Sequence, residues 1–123
     1  MNTALTGEQS IYIQIAKRIE DDILRGIIDE NESVPSTNQL AALYQINPAT
    51  AAKGVNLLVD EGILYKKRGI GMFAAEGAKQ TIVTKRKTGF YERFIVSLVR
   101  EAKQLGIDAE ELYEMITRAS RER

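Results

Sequence analysis

The decisive stretch reads Pro35-Ser36-Thr37-Asn38-Gln39-Leu40-Ala41, then Ile46-Asn47-Pro48-Ala49-Thr50, then Asp60-Glu61-Gly62-Ile63-Leu64, then Lys66-Lys67-Arg68-Gly69-Ile70-Gly71-Met72-Phe73. Ser36 stands three residues before Gln39, the spacing of a capping box, so a helix is predicted to begin there with Leu40, Ala41 and Leu43 on its buried face. Gln45-Ile46 supplies a turn. Asn47 then caps a further helix with Pro48 at its first position, where a missing N–H costs nothing. That helix runs through Val55, Leu58 and Val59 to Glu61, and Gly62 stops it. Ile63-Leu64-Tyr65 reads as a strand, Lys66 to Gly71 as a turn and Met72-Phe73-Ala74 as the return strand; Gly69 and Gly71 permit the positive φ angles of a tight hairpin. Two short helices followed by a basic hairpin are the parts of a winged helix-turn-helix, in the order that places one helix in a DNA groove and a loop beside it.

Working outward, Ile11, Ile15, Ile19 and Ile23 recur every four residues, and Tyr12, Ala16 and Leu24 widen the stripe. A helix is predicted there, capped by Ser10 and stopped by Gly26. Residues 27–34 suit a turn or brief strand. Beyond the hairpin, residues 75–87 have weak periodicity and read as a connector. Phe90, Phe94, Leu98, Val99, Ala102 and Leu105 then repeat at helical spacing up to Gly106, and Asp108 caps a last helix carrying Leu112, Met115, Ile116 and Ala119. A two-helix hairpin of this size is too small to bury a core alone, so it must pack on the first domain or on a second copy of itself. The fold class is mainly α with a small β-wing: a winged helix-turn-helix over 1–75, a connector over 76–88 and a two-helix dimerisation hairpin over 89–123.

Composition narrows the chemistry. The chain has 123 residues, 44% of them hydrophobic, which suits one compact unit, or one domain plus a small appendage. It has no Cys, so disulfides and zinc–thiolate sites are excluded, and no His, the commonest general base and metal ligand. No carboxylate cluster has metal-ligand spacing, no phosphate-loop Gly-Lys-Ser/Thr pattern occurs, and the serines have no His to activate them. No cofactor is expected. No apolar run approaches the roughly 20 residues of a membrane span. Met1-Asn2-Thr3-Ala4-Leu5 lacks a positive n-region and an apolar h-region, so a cytoplasmic protein with no membrane partner is expected.

Seventeen Lys and Arg balance seventeen Asp and Glu. Bulk charge therefore does not announce a nucleic-acid binder, but its distribution is uneven. Lys66-Lys67-Arg68 and Lys85-Arg86-Lys87 are contiguous, whereas acids gather at Glu20, Asp21, Asp22, Asp29, Glu30 and Glu32. The candidate base readers are Asn47, Thr50 and Lys53, polar groups at a spacing of three along the second helix of the motif; small Ala49, Ala51 and Ala52 let that helix sit deep. Asn47 can equally be a cap alone, and Thr50 a surface residue. At the hairpin tip, Lys67, Arg68 and Gly69 can enter a minor groove or hold phosphate, or simply be solvated. Ser36 and Thr37 can hold phosphate at a helix N-terminus in addition to capping it. Lys85-Arg86-Lys87 reads as solvated linker, with a flanking phosphate contact as the alternative.

Residues 11–74 resemble the N-terminal domain of the GntR family of bacterial transcription regulators. The residues that carry this are Ile11-Tyr12-Ile13-Gln14-Ile15, Gly26, Val34-Pro35-Ser36, Leu40-Ala41, Asn47-Pro48-Ala49-Thr50, Leu58, Glu61-Gly62-Ile63-Leu64 and Arg68-Gly69-Ile70-Gly71-Met72-Phe73. The short tail from Phe90 to Arg118 is similar to the YtrA-type branch. The resemblance implies a homodimeric transcription factor on double-stranded DNA with an inverted repeat, with Asn47, Thr50, Arg68 and Gly69 at DNA-contacting positions. It also implies repression, often of ABC-transporter genes. The chain departs from the family's pattern in having Asn38 where an Arg is usual, and Pro48 and Ala49 where the recognition helix often carries Arg or Lys. Lys53 can compensate.

The leading expectation is thus a homodimeric repressor. Its DNA-binding residues are Ser36, Thr37, Asn38, Asn47, Ala49, Thr50, Lys53, Lys67, Arg68 and Gly69, and its dimer seam comprises Phe90, Phe94, Leu98, Leu112, Met115 and Ile116. The alternative is a winged-helix module that docks protein partners, which zero net charge suits; an enzyme is disfavoured by the missing His, Cys and phosphate loop. The tail is too small for one protomer to enclose a pocket of the usual roughly 300 Å³. A small-molecule effector is left open.

Overall fold

Residues 10–122 are described by a computed structural model; Met1 to Leu5, read above for an export signal, and Arg123 lie outside them. The elements are α1 (Ile11–Leu24), α2 (Thr37–Tyr44), α3 (Pro48–Asp60), β1 (Leu64–Lys67), β2 (Gly71–Ala74), α4 (Ala78–Phe90), a π-helical turn (Tyr91–Ile95), α5 (Val96–Gln104) and α6 (Ala109–Arg121). The architecture is mainly α with a small antiparallel wing, as expected. The chain divides into two units between Thr84 and Lys85.

In the first unit one core gathers Ile15, Ile19 and Ile23 of α1, Leu40 and Tyr44 of α2, Val55 and Leu58 of α3, and Ile63, Leu64 and Ala74 at the wing base. Glu20, one of the clustered acids, is only 1% exposed on this helix. No buried side-chain nitrogen or oxygen among the described residues lacks a hydrogen-bond partner, as the cost of burying an unpaired polar group demands. Ser10 precedes α1 without a side-chain capping bond, so the predicted cap is not made; the Ser10 carbonyl alone accepts from Ile13 and Gln14. In α2 the predicted burial of Leu43 fails: it is 50% exposed. An eight-residue helix has room for a single inward stripe, and Leu40, Ala41 and Tyr44 fill it.

α1 and α3 meet at Gly54. A Cβ there would stand 2.7 Å from the Tyr12 carbonyl oxygen and 3.3 Å from the Ile15 Cβ, so only glycine lets the two backbones approach this closely. α3 ends as predicted. Gly62 takes φ +76°, its N–H donates to the Val59 carbonyl, and the N–H of Ile63 returns to the Leu58 carbonyl at 2.9 Å. This turn drops Ile63 into the core and launches β1.

β1 and β2 pair antiparallel with Tyr65 opposite Phe73 and Lys67 opposite Gly71, so the loop shortens to 68–70. Residues 27–34, open between a turn and a brief strand, hold turns followed by a bridge on the other side of β2: Asn31 N–H donates to the Ala74 carbonyl, Val34 N–H to the Met72 carbonyl, and Ser33 bridges Phe73. β2 is therefore bonded along both edges.

The segment read as a connector over 76–88 is mostly helical. α4 begins at Ala78, and the Glu30 carboxylate accepts from the Gly77 N–H at 2.7 Å at its start. Ala78 and Ile82 are fully buried in the first unit's core. Two small-to-medium apolar residues four apart among basic neighbours make a faint stripe, so periodicity did not reveal this helix. The second unit runs from the end of α4 through the π-helical turn into α5, then turns at Gly106 into α6. Asp108 caps α6 as predicted, accepting from Glu111 N–H at 2.8 Å. Among its described residues only Ala102 is buried.

Gly54→Ala is expected to destabilise the protein by about 1–3 kcal/mol, because overlap with a backbone carbonyl outweighs the roughly 1 kcal/mol gained in helix propensity. Urea unfolding followed by circular dichroism measures this; an unchanged or raised midpoint would show that α1 can retreat from α3 at no cost.

Candidate nucleic-acid interface

The interface is built on two caps. The Ser36 N–H donates to Gln39 Oε1 at 2.8 Å, and the Gln39 N–H donates to Ser36 Oγ at 3.1 Å, so the predicted capping box is complete. Thr37 is half-buried at the first position of α2 and Asn38 is exposed beside it. The chain leaves α2 through Gln45, held at φ +55°, with Ile46 N–H donating to the Ala41 carbonyl at 3.0 Å. A non-glycine residue in the left-handed region costs about 1 kcal/mol, and here it fixes the turn between the two helices.

Asn47 then caps α3, its Oδ1 accepting from Ala49 N–H at 2.8 Å. That bond holds the side-chain carbonyl inward and leaves the amide NH₂ to reach an outside acceptor. Asn47, Pro48 and Ala49 are exposed and Thr50 is half-buried, whereas Ala51, Val55 and Leu58 face the core. α3 is thus anchored by one side and offers its first turn to solvent. Lys53, three residues past Thr50, is exposed, but its Nζ lies 4.2 Å from the centre of the Tyr12 ring.

The wing is stiffened by aromatic stacking: the Tyr65 and Phe73 rings lie 5.7 Å apart, and Tyr65 O–H donates to Asn31 Oδ1 at 3.2 Å. Lys67 Nζ sits 4.9 Å over Phe73. Arg68, Gly69 and Ile70 form the exposed tip, closed by Ile70 N–H donating to the Lys67 carbonyl at 2.9 Å, with Gly69 at φ +77°. Sequence reading missed Tyr12, Phe73 and Gly54. No local pattern links Tyr12 to Lys53, which lie 41 positions apart; only the packing of α1 on α3 joins them. Burial raises the Asp22 carboxyl and the Tyr44 phenol above their ordinary values, opposed mainly by Arg25 and Arg18 respectively; neither group is on α3 or the wing. Among the described residues no group of three or more acidic side chains is placed to hold a metal ion, and no helix is long and apolar enough to cross a membrane.

In the second unit, Phe90, Phe94, Leu98, Met115 and Ile116 are exposed and Leu112 is half-buried, with Phe90 and Ile116 at 56% and 46%. The Phe90 and Phe94 rings lie 5.3 Å apart. Leu98, Ala102, Leu105, Ile107, Leu112, Met115 and Ile116 line a groove of about 480 Å³ that is open to solvent between α5 and α6.

Residues 11–73 match the gntR family of bacterial regulatory proteins. The chain belongs to the GntR family. It is 34% identical over 110 residues to the HTH-type transcriptional repressor YtrA of Bacillus subtilis (strain 168), covering 89% of this chain and 84% of that protein. A solved structure from Bacteroides thetaiotaomicron, assigned to the GntR transcriptional regulators, superposes with a TM-score of 0.74 at 39% identity over 89% of this chain and 98% of its own. The DNA-binding domain of AraR, solved in complex with an operator, matches 58% of this chain and 93% of its own at 28% identity and a TM-score of 0.53. This GntR member is accordingly a DNA-binding transcription regulator with a winged helix, from a family of regulators and not of enzymes.

Asn47→Ala removes the α3 cap and is expected to cost about 1 kcal/mol of stability, whereas Asn47→Ser keeps an acceptor and costs little. Thermal unfolding of the two variants distinguishes them; equal midpoints would show that the cap contributes nothing.

Proposed function

We propose that this regulator is a cytoplasmic repressor that binds, as a homodimer, an inverted-repeat operator, with transporter genes among its targets. The observation that carries the reading is the anchored α3 whose first turn is exposed. Each protomer presents Asn47, Ala49 and Thr50 to a major groove. Ser36, Thr37 and Asn38 lie at the N-terminus of α2, where backbone N–H groups favour phosphate. Lys53, Lys67, Arg68 and Gly69 complete the surface, the last two suited to a minor groove. The operator of AraR and the repressor activity in the name of YtrA support the same direction. The second unit supports dimerisation: Phe90, Phe94, Leu98, Leu112, Met115 and Ile116 are apolar groups with little burial of their own, and covering them removes that area from water at about 25 cal/mol per Å². Two-fold symmetry sets half-sites about 10 bp apart or a multiple of it.

Selection of random duplexes on the purified protein, followed by titration of the winner in rising salt, tests the reading. An enriched inverted repeat is expected, with affinity falling about a thousand-fold between 50 and 200 mM salt if about six phosphates are held. Leu98→Asp is expected to give a monomer by sedimentation and to abolish tight operator binding. No enrichment by the wild type overturns the DNA reading, and a monomeric variant with wild-type affinity overturns the dimer.

A further inference from the structure

Two lysines of the proposed DNA surface are seated on aromatic rings, while Arg68 at the exposed wing tip has no such seat among the described residues. The better defined pair joins separate helices. Tyr12 lies in the first turn of α1, and Lys53 lies in α3 one turn beyond Thr50. Their relation is enforced by the backbone, because Gly54, next to Lys53, brings α3 against the carbonyl of Tyr12 itself. The lysine ammonium, 4.2 Å from the ring centre, has one side occupied by the ring face. Lys53 and Tyr12 line a surface cleft together with Ala49, Ala52, Asn56, Leu57 and one acid, Asp60. A lysine seated on Tyr12 is biased toward α1 rather than along α3 to the floor of a groove. It can hold the groove's wall, where the phosphates run. Free lysine loses considerable side-chain freedom when it binds a phosphate, and a lysine seated on a ring has lost part of it beforehand.

We propose that Tyr12 is a positioning residue for DNA binding: it fixes the Lys53 ammonium as a sequence-independent phosphate contact, leaving base discrimination to Asn47, Thr50 and the wing tip. This rests on the DNA-binding reading above and assigns Lys53 a narrower role than base reader.

The test uses the full chain and the selected operator, titrated at several salt concentrations, with each variant's thermal midpoint measured alongside. Lys53→Met is expected to make the log–log salt dependence shallower by about two for the dimer, one phosphate per protomer, without relaxing preference at any base pair. Tyr12→Leu keeps the charge but loses the seat. It is expected to weaken binding about three-fold per half-site, hence about ten-fold on the full operator, with the salt slope retained. Tyr12→Phe keeps the ring and is expected to bind like the wild type. A purely structural role for Tyr12 would lower the thermal midpoint without this division between affinity and slope. An unchanged slope in Lys53→Met, a relaxed base preference in that variant, or wild-type affinity in a folded Tyr12→Leu overturns the proposal. Failure of the wild type to select any operator overturns the DNA-binding reading and this assignment together, whereas wild-type binding with unaffected variants overturns this assignment alone.

Discussion

The crossing of α1 over α3 at Gly54 is the constraint on which the first unit depends. A methyl group at that position would collide with the Tyr12 carbonyl, so the absence of a side chain sets how near the two helices lie. That distance lets Ile15 and Ile19 reach Val55 and Leu58, and it fixes which side of α3 is turned inward. With Ala51, Val55 and Leu58 committed to the core, the cap residue Asn47 and its neighbours Pro48 and Ala49 have to face solvent. The exposed turn on which the regulatory reading rests is the other side of a packing decision.

The wing is held from two directions. β1 leaves the Gly62 turn with Ile63 and Leu64 already in the core, and β2 is bonded on both edges, to β1 and to the segment around Ser33. A lone two-stranded hairpin is marginal in water. Here a third strand edge, the Tyr65–Phe73 stack and the bond from Tyr65 to Asn31 support it, and they explain how a three-residue tip can be exposed yet fixed. The Glu30 carboxylate, at the start of α4, ties that same segment onward to a helix whose Ala78 and Ile82 complete the core. The acids upstream of the motif are therefore partly structural: Glu20 is buried and Glu30 receives a backbone N–H.

The second unit poses the opposite problem. Asp108 caps α6 and the apolar periodicity is clear, yet among the unit's described residues only Ala102 is buried. Local helix signals need only the chain itself, but an apolar face needs a surface to cover it. The rings of Phe90 and Phe94 beside the π-helical turn, and the groove between α5 and α6, are the places where that cover is missing within one chain.

The capping box at Ser36, the Asn47–Pro48 start, the Gly62 stop and the Asp108 cap were legible in the sequence because each is a contact between residues two to five positions apart. The candidate DNA-facing residues were legible for the same reason, as polar groups at fixed offsets from a cap. Tertiary structure alone decided the rest. It made α4 a helix by giving Ala78 and Ile82 a core to enter, and left Leu43 outside because Leu40, Ala41 and Tyr44 filled the inner side. It also added an edge to the sheet and set Lys53 over Tyr12. These outcomes depend on which surfaces meet across dozens of residues. The last of them goes with Gly54, where α1 meets α3, and nothing in that glycine's immediate sequence announces it.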